Sequence, residues 1–320
     1  NVARFFNESG RATTNILSRV TGGSPSNIFG EISTQSFGSA NFFLINPAGV
    51  VFGPNASLNL GGSGHFSTAD YLRLGNGNDR FYADLGKASQ LTSAAVTAFG
   101  FLGERPAGPV TVQAGSPLAV SEGKVIDLIG GDISITERTV SAPGGQINLA
   151  SVSGAGEVVP NQADQTPSLD LVNVSKQGTI QLTEGAILRT SSATSDAGAI
   201  LIRSGEFIME NAGIEAKTSA PLQIGTTSGS DTEFPTDFVA CCKGGTVDIA
   251  ANSISLKGGV FETTRPQSGQ KVSGITIWTN NQGDITLGTK SLTLDNAKIF
   301  TDAQTLVAFP FPETGFIHIQ

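Results

Sequence analysis

The sequence predicts an all-β chain wound as a right-handed parallel β-helix, with about three strands per coil. Three observations carry this prediction. Glycine is abundant and charge is scarce: 40 Gly and 14% charged residues in 320, against about 7% and about 25% in ordinary domains. A short phrase, Gly-x-aliphatic-x-aliphatic, recurs from residue 130 onward. Apolar residues make up 38% of the chain, enough to bury a core, so disorder is not expected. Helix interiors exclude glycine, which removes a helical bundle, and collagen would need Gly at every third position.

The phrase reads Gly131-Asp132-Ile133-Ser134-Ile135, then Gly145-Gln146-Ile147-Asn148-Leu149 and Gly178-Thr179-Ile180-Gln181-Leu182. It returns at Gly198-Ala199-Ile200-Leu201-Ile202, Gly245-Thr246-Val247-Asp248-Ile249 and Gly283-Asp284-Ile285-Thr286-Leu287, and starts again at Gly315. Each copy has the period of two expected of a strand with one buried face. Further strands follow several copies. After Gly283 come Ser291-Leu292-Thr293-Leu294 and Ala297-Lys298-Ile299-Phe300-Thr301. A single coil cannot bury its own apolar side, but stacked coils can. Gly, Asn and Asp at the corners are expected to supply positive φ, and outward Ser, Thr, Asn and Gln explain the low charge.

Charge and cysteine narrow the function. A net charge of −8 argues against nucleic acid as a partner, because phosphate recognition needs a basic face. The only cysteines are neighbours, Cys241 and Cys242. They suit a strained vicinal disulfide, a bridge between two chains, or two free thiols. The opening Asn1-Val2-Ala3-Arg4-Phe5-Phe6 lacks the basic start and apolar stretch of a signal peptide, so a mature or trimmed piece is expected.

Chemistry-bearing constellations are sparse. His65 and His318 are the two histidines; the first is expected in a Gly-Ser-rich turn, the second on the outer side of a strand. No Cys/His spacing suggests a zinc site, and neither a metal nor a cofactor is expected. Asp127, Asp132, Asp248 and Asp284 fall near the Gly corners, where such residues usually satisfy backbone groups. A polysaccharide lyase or hydrolase would instead gather carboxylates into one groove. Gly75-Asn76-Gly77-Asn78-Asp79 is expected to be a hairpin turn in preference to a calcium loop. Trp278 should point outward, as a contact residue or beneath the 264–274 insertion. Phe309 and Phe311 form another exposed-looking apolar piece.

The sharpest text lies at residues 15–69. Phe42 and Leu44 read as a buried strand, Asn46-Pro47-Ala48-Gly49 as a tight turn, and Val50 to Phe52 as a returning strand. This stretch closely resembles the secretion domain of filamentous-haemagglutinin-like exoproteins. The Asn-Pro-Asn-Gly-Ile motif of that family stands here as Asn46, Pro47, Ala48, Gly49 and Val50, with Ala48 departing at the second Asn. The likeness continues through Gly100-Phe101-Leu102-Gly103, Val110-Thr111-Val112-Gln113 and Gly130 to Val152, and looks most like the cyanobacterial branch.

The resemblance implies a secreted, extracellular or cell-surface exoprotein, exported by two-partner secretion. Its partner would be an outer-membrane transporter that recognises the N-terminal region. Residues 1–115 would be the secretion-domain portion, and 116–320 a continuation of the same solenoid, with insertions near 155–172, 219–243, 264–274 and 302–314. The resulting expectation is a structural or adhesive rod with no catalytic residues. End-to-end self-association and a surface glycan or protein ligand are the further partners expected. The alternatives are a polysaccharide-acting enzyme and the stalk of a contact-dependent toxin.

Overall fold

A computed structural model describes residues 2–161, 166–218, 243–258, 263–264, 271–272, 275–280, 283–302 and 317–320. Cys241, Cys242, Phe309 and Phe311 lie outside the described residues. The chain winds as a parallel β-helix with three faces. The first face stacks Asn15–Arg19, Asn41–Ile45, Gly64–Ser67, Val125–Gly130 and Gln146–Ser151 in parallel register. The second stacks Ser26–Ile28, Val50–Phe52, Val110–Val112, Ile133–Thr136 and Thr179–Thr183. In later coils these two faces run together as single bent strands, Ala199–Glu210, Val247–Lys257 and Ile285–Asp295. The third face is built from two parallel sheets. One joins Val2–Arg4, Glu31–Ser33 and Ser57–Asn59. The other runs from Leu118–Ala119 to Ala297–Asp302.

The interior is a column of the aliphatics that the recurring phrase supplies: Ile133 and Ile135, Ile147 and Leu149, Ile180 and Leu182, Ile200 and Ile202. The phrase marks two different faces, however. Gly131 and Gly178 precede second-face strands, whereas Gly145, Gly198, Gly245 and Gly283 precede first-face strands. This explains its uneven spacing. Val50–Phe52 is likewise no hairpin return. It turns the corner and pairs in parallel with Ser26–Ile28 and Val110–Val112.

Two excursions leave the helix at the same corner. One departs after Gly64–Ser67 and rejoins at Val110–Val112; the other departs after Gln146–Ser151 and rejoins at Thr179–Thr183. They meet in one antiparallel sheet, ordered Asp79–Tyr82, Tyr71–Leu74, Val96–Phe101, Gly156–Pro160, Leu169–Val172. Residues 75–78 form the hairpin turn expected there. Leu72, Leu74, Phe99 and Val158 from this sheet close a second core over Phe43, Ile45, Ile129 and Leu201, which point outward from the first face. The first face is therefore buried on both sides in its middle coils, as at Gln146–Ser151.

The corners follow the expected preference at Asn211, Asn296, Gly49, Gly123, Gly144 and Gly185 and depart from it at two glutamates. At the turn from second to third face, positive φ is taken by Glu137, Glu184, Asn211 and Asn296, with Gly185 beside Glu184. These positions continue the ladder across the corner: Glu137 N–H donates to Thr183 O, Glu184 N–H to Glu210 O and Asn211 N–H to Lys257 O. Each amide is satisfied by the next coil, which offsets the modest strain of a left-handed residue.

Candidate functional site: the Asn-Pro turn and its cleft

The turn at Asn46–Val50 sits between two coils. Asn46 is 1% exposed, yet its side chain is fully used. Its Oδ1 accepts from Ala48 N–H at 3.0 Å, and its Nδ2 donates to Ser24 O at 3.0 Å and Ser26 Oγ at 2.8 Å. Gly49 N–H closes the turn onto Asn46 O at 3.0 Å. Gly49 has φ +135°, and a Cβ there would meet Pro109 O at 3.3 Å. Gly108 N–H donates to Pro47 O and Val50 N–H to Pro109 O, so the coil above clamps the turn. Only the Ala48 backbone is used, which is why a residue other than Asn fits there.

Over this turn opens a cleft of about 250 Å³ whose far wall is the first excursion. Asp70 there accepts Leu102 N–H at 2.8 Å and lies 3.8 Å from Arg105. Lys87 and Glu104 pair at 3.1 Å. Arg19 fastens the excursion to the helix: it donates to Tyr82 O at 2.6 Å and its guanidinium lies 4.8 Å over the Phe81 ring.

The histidine and aspartate expectations need correction. His65 is not in a turn. It occupies the strand Gly64–Ser67, in register with Phe43 and Asp127. The surrounding Gly and Ser read as turn residues, but Gly61 and Gly62 are there because the carbonyls of Gly38 and Ala40 come close. His65 Nδ1 lies 2.6 Å from Asp127 Oδ2 and its ring stacks on Phe43 at 4.1 Å. Asp127, fully buried in mid-strand and not at a corner, also accepts from Asn148 Nδ2 at 2.8 Å, and Asn148 accepts from Gln146. This polar ladder lies under the excursion sheet, and no hydroxyl or thiol among the described residues bonds His65.

Asp132 does cap backbone, accepting Thr179 N–H at 2.8 Å. Asp248 pairs with Arg203 at 2.6 Å. The register places Asp248 three coils from Asp127, roughly 14 Å at one strand spacing per coil. Glycosidase carboxyl pairs stand about 5 to 9.5 Å apart, so these two do not form one. Among the described residues no cluster of three or more His, Cys, Asp or Glu could hold a metal ion. Trp278 lies in the strand Ile275–Asn280, opposite Glu215; its side chain lies outside the described residues. His318 is on the exposed strand Ile317–Ile319.

Two further polar centres were not legible in the sequence. Glu122 Oε1 accepts from the hydroxyls of Ser192, Thr194 and Ser195, which hold its carboxyl below the usual range, Thr194 first among them. Tyr71 donates to Glu157 at 2.8 Å. Burial, with the Glu157 hydrogen bond and charge adding to it, pushes its phenol up to about 12. The folded state thus favours the neutral phenol; this contribution to stability is complete below about pH 10 and is lost as pH rises toward 12. Ultraviolet titration should leave one phenol un-ionised at about pH 11, and Tyr71→Phe should remove that late-titrating signal.

The model of one family, described as the TPS secretion domain, matches residues 1–202. No curated protein and no solved structure matches the chain.

Proposed function

Since the chain belongs to the TPS secretion-domain family, the domain of exoproteins exported by two-partner secretion, we propose that the Asn46–Val50 turn and its cleft are what the outer-membrane transporter reads. Family membership makes this a secreted protein with an outer-membrane transporter as partner, and the matched domain is not that of an enzyme family. The observation that supports the turn as the recognition element is the use of Asn46. All its side-chain bonds serve to fix one corner, and that corner floors an open, mixed-charge cleft in the matched region.

The test is secretion from cells co-expressing the transporter. Asn46→Ala should lower stability by about 2 kcal/mol, at about 1 kcal/mol per side-chain bond less partial relaxation, and cut secreted yield at least about tenfold. Ala48→Asn should leave both unchanged. Normal export of an Asn46→Ala protein that melts early would refute the turn as a recognition element.

Beyond export, the reading best supported is a stiff surface rod with an adhesive or structural role. Continuous parallel ladders on two faces transmit load along one axis, and exposed strand edges can template a further chain. A toxin stalk would use the same rod. A polysaccharide-cleaving role is disfavoured by the separation of Asp127 and Asp248.

A further inference from the structure

The outer face of the excursion sheet carries a second cleft, of about 370 Å³. Alternation directs Leu72, Leu74 and Phe81 into the second core, which leaves Tyr71, Arg73, Arg80 and Tyr82 on the other side. Tyr71 lies flat over Gly100, where a Cβ would come within 2.0 Å of its ring. The Arg80 guanidinium stacks on that ring at 4.5 Å. Glu157 is committed: one oxygen takes the Tyr71 hydroxyl at 2.8 Å and the other takes Arg73 at 3.2 Å.

The two arginines thus stand beside one carboxylate, which pairs with Arg73. Among the described residues Arg80 has no carboxylate within ion-pair range; its Nη1 has only a long contact, 3.4 Å, to the Tyr82 hydroxyl. The Nε atoms of Arg73 and Arg80 are both buried and without a hydrogen-bond partner. A planar guanidinium fits a carboxylate through two parallel bonds. The turn residues Asn76 and Asn78 line the same cleft, with amides suited to hydroxyl groups.

We propose that this cleft binds an acidic sugar, a hexuronate unit of a surface polysaccharide. Its carboxylate pairs with Arg80 and its hydroxyls meet Asn76 and Asn78, all three in the lining of the cleft. The net charge of −8 does not oppose this, because screening at physiological salt limits exposed charges to about 8 Å. The site goes beyond the secretion reading and shares no residue with the Asn46 turn, so either can fail alone.

The test is calorimetric titration of the purified folded protein with tetragalacturonate, with maltotetraose as the neutral control. Tetragalacturonate should bind and maltotetraose should not. Arg80→Gln should weaken binding at least about tenfold, consistent with loss of a charge-assisted pair. Asn78→Ala, at an exposed turn residue of the cleft, should also weaken it and serves as the second variant if Arg80→Gln melts early. Absence of tetragalacturonate binding up to about 10 mM, equal binding of maltotetraose, or unchanged affinity in a folded Arg80 or Asn78 variant would each overturn the proposal.

Discussion

Replacing Arg138 by alanine should destabilise the protein by about 4 kcal/mol, and by methionine about 3 kcal/mol. Arg138 is 1% exposed and has no carboxylate partner among the described residues. Its guanidinium instead donates to backbone: Nη1 to Gly53 O at 2.8 Å and Gln113 O at 3.3 Å, and Nη2 to Ala56 O. The side chain thus ties its own coil to the two coils below, at the corner between the second and third faces. Burial pulls its pKa below the ordinary arginine value, the sign of a cation that pays for its position. Removing that cation relieves the desolvation, but it takes the Arg138 donor from the Gln113 and Ala56 carbonyls, at about 1–3 kcal/mol each, while Gly53 O keeps only Ala56 N–H at 2.9 Å. The orphaned acceptors outweigh the relief. Methionine refills the volume, so it should cost less than alanine, which adds a cavity. Thermal melting gives the overall loss, and hydrogen exchange at residues 53–56 and 113 should show it is local to that corner. A methionine variant as stable as the parent would mean that the carbonyls find water, and the staple argument would fail.

Nothing in the sequence marks Arg138 as special, and that is instructive. What was readable was whatever repeats along the chain. The alternation of Ile147 with Leu149, or of Ile180 with Leu182, fixes strand and inward face locally. The Asn-Pro turn was readable because the two bonds that close it, from Ala48 and Gly49 N–H to Asn46, join near neighbours. What was not readable is whatever depends on which coil stacks on which. Residues 68–109 and 152–178 interrupt the repeat separately, yet they leave from the same corner and share one sheet through Phe99 and Val158. That pairing buries His65 and Asp127, and turns an ordinary Gly-Ser stretch into the cover of a polar ladder. Arg138 reaches 82 and 85 residues back to its partners. The Tyr71–Arg80 face likewise exists only once Glu157 arrives from the second excursion.

Glycine shows the same distinction and gives a second large effect: Gly198→Ala should cost about 3–5 kcal/mol. The glycine excess was expected to serve left-handed corners, but Gly145, Gly198 and Gly245 do not have positive φ. They start successive first-face strands and stack directly on one another. A Cβ on Gly198 would lie 1.6 Å from Gly145 O, and one on Gly245 would lie 1.9 Å from Gly198 O. Both obstacles are backbone, so no side chain can swing aside. Accommodating the methyl means prising two coils apart at the point where Ala199 N–H donates to Gly145 O at 3.0 Å. Overpacking costs about 1–3 kcal/mol, and leaving that buried pair unmade adds about 1–3 kcal/mol. Gly22, with nothing within 4 Å of a Cβ, is the control; Gly22→Ala should be neutral or stabilise by up to about 1 kcal/mol through the unfolded chain. If the two substitutions shift the melting temperature equally, the stacking explanation is wrong and glycine serves chain flexibility alone. If Gly198→Ala alone is damaging, the glycine column sets how closely the coils approach, and the low charge and high glycine of the sequence have a common cause in that spacing.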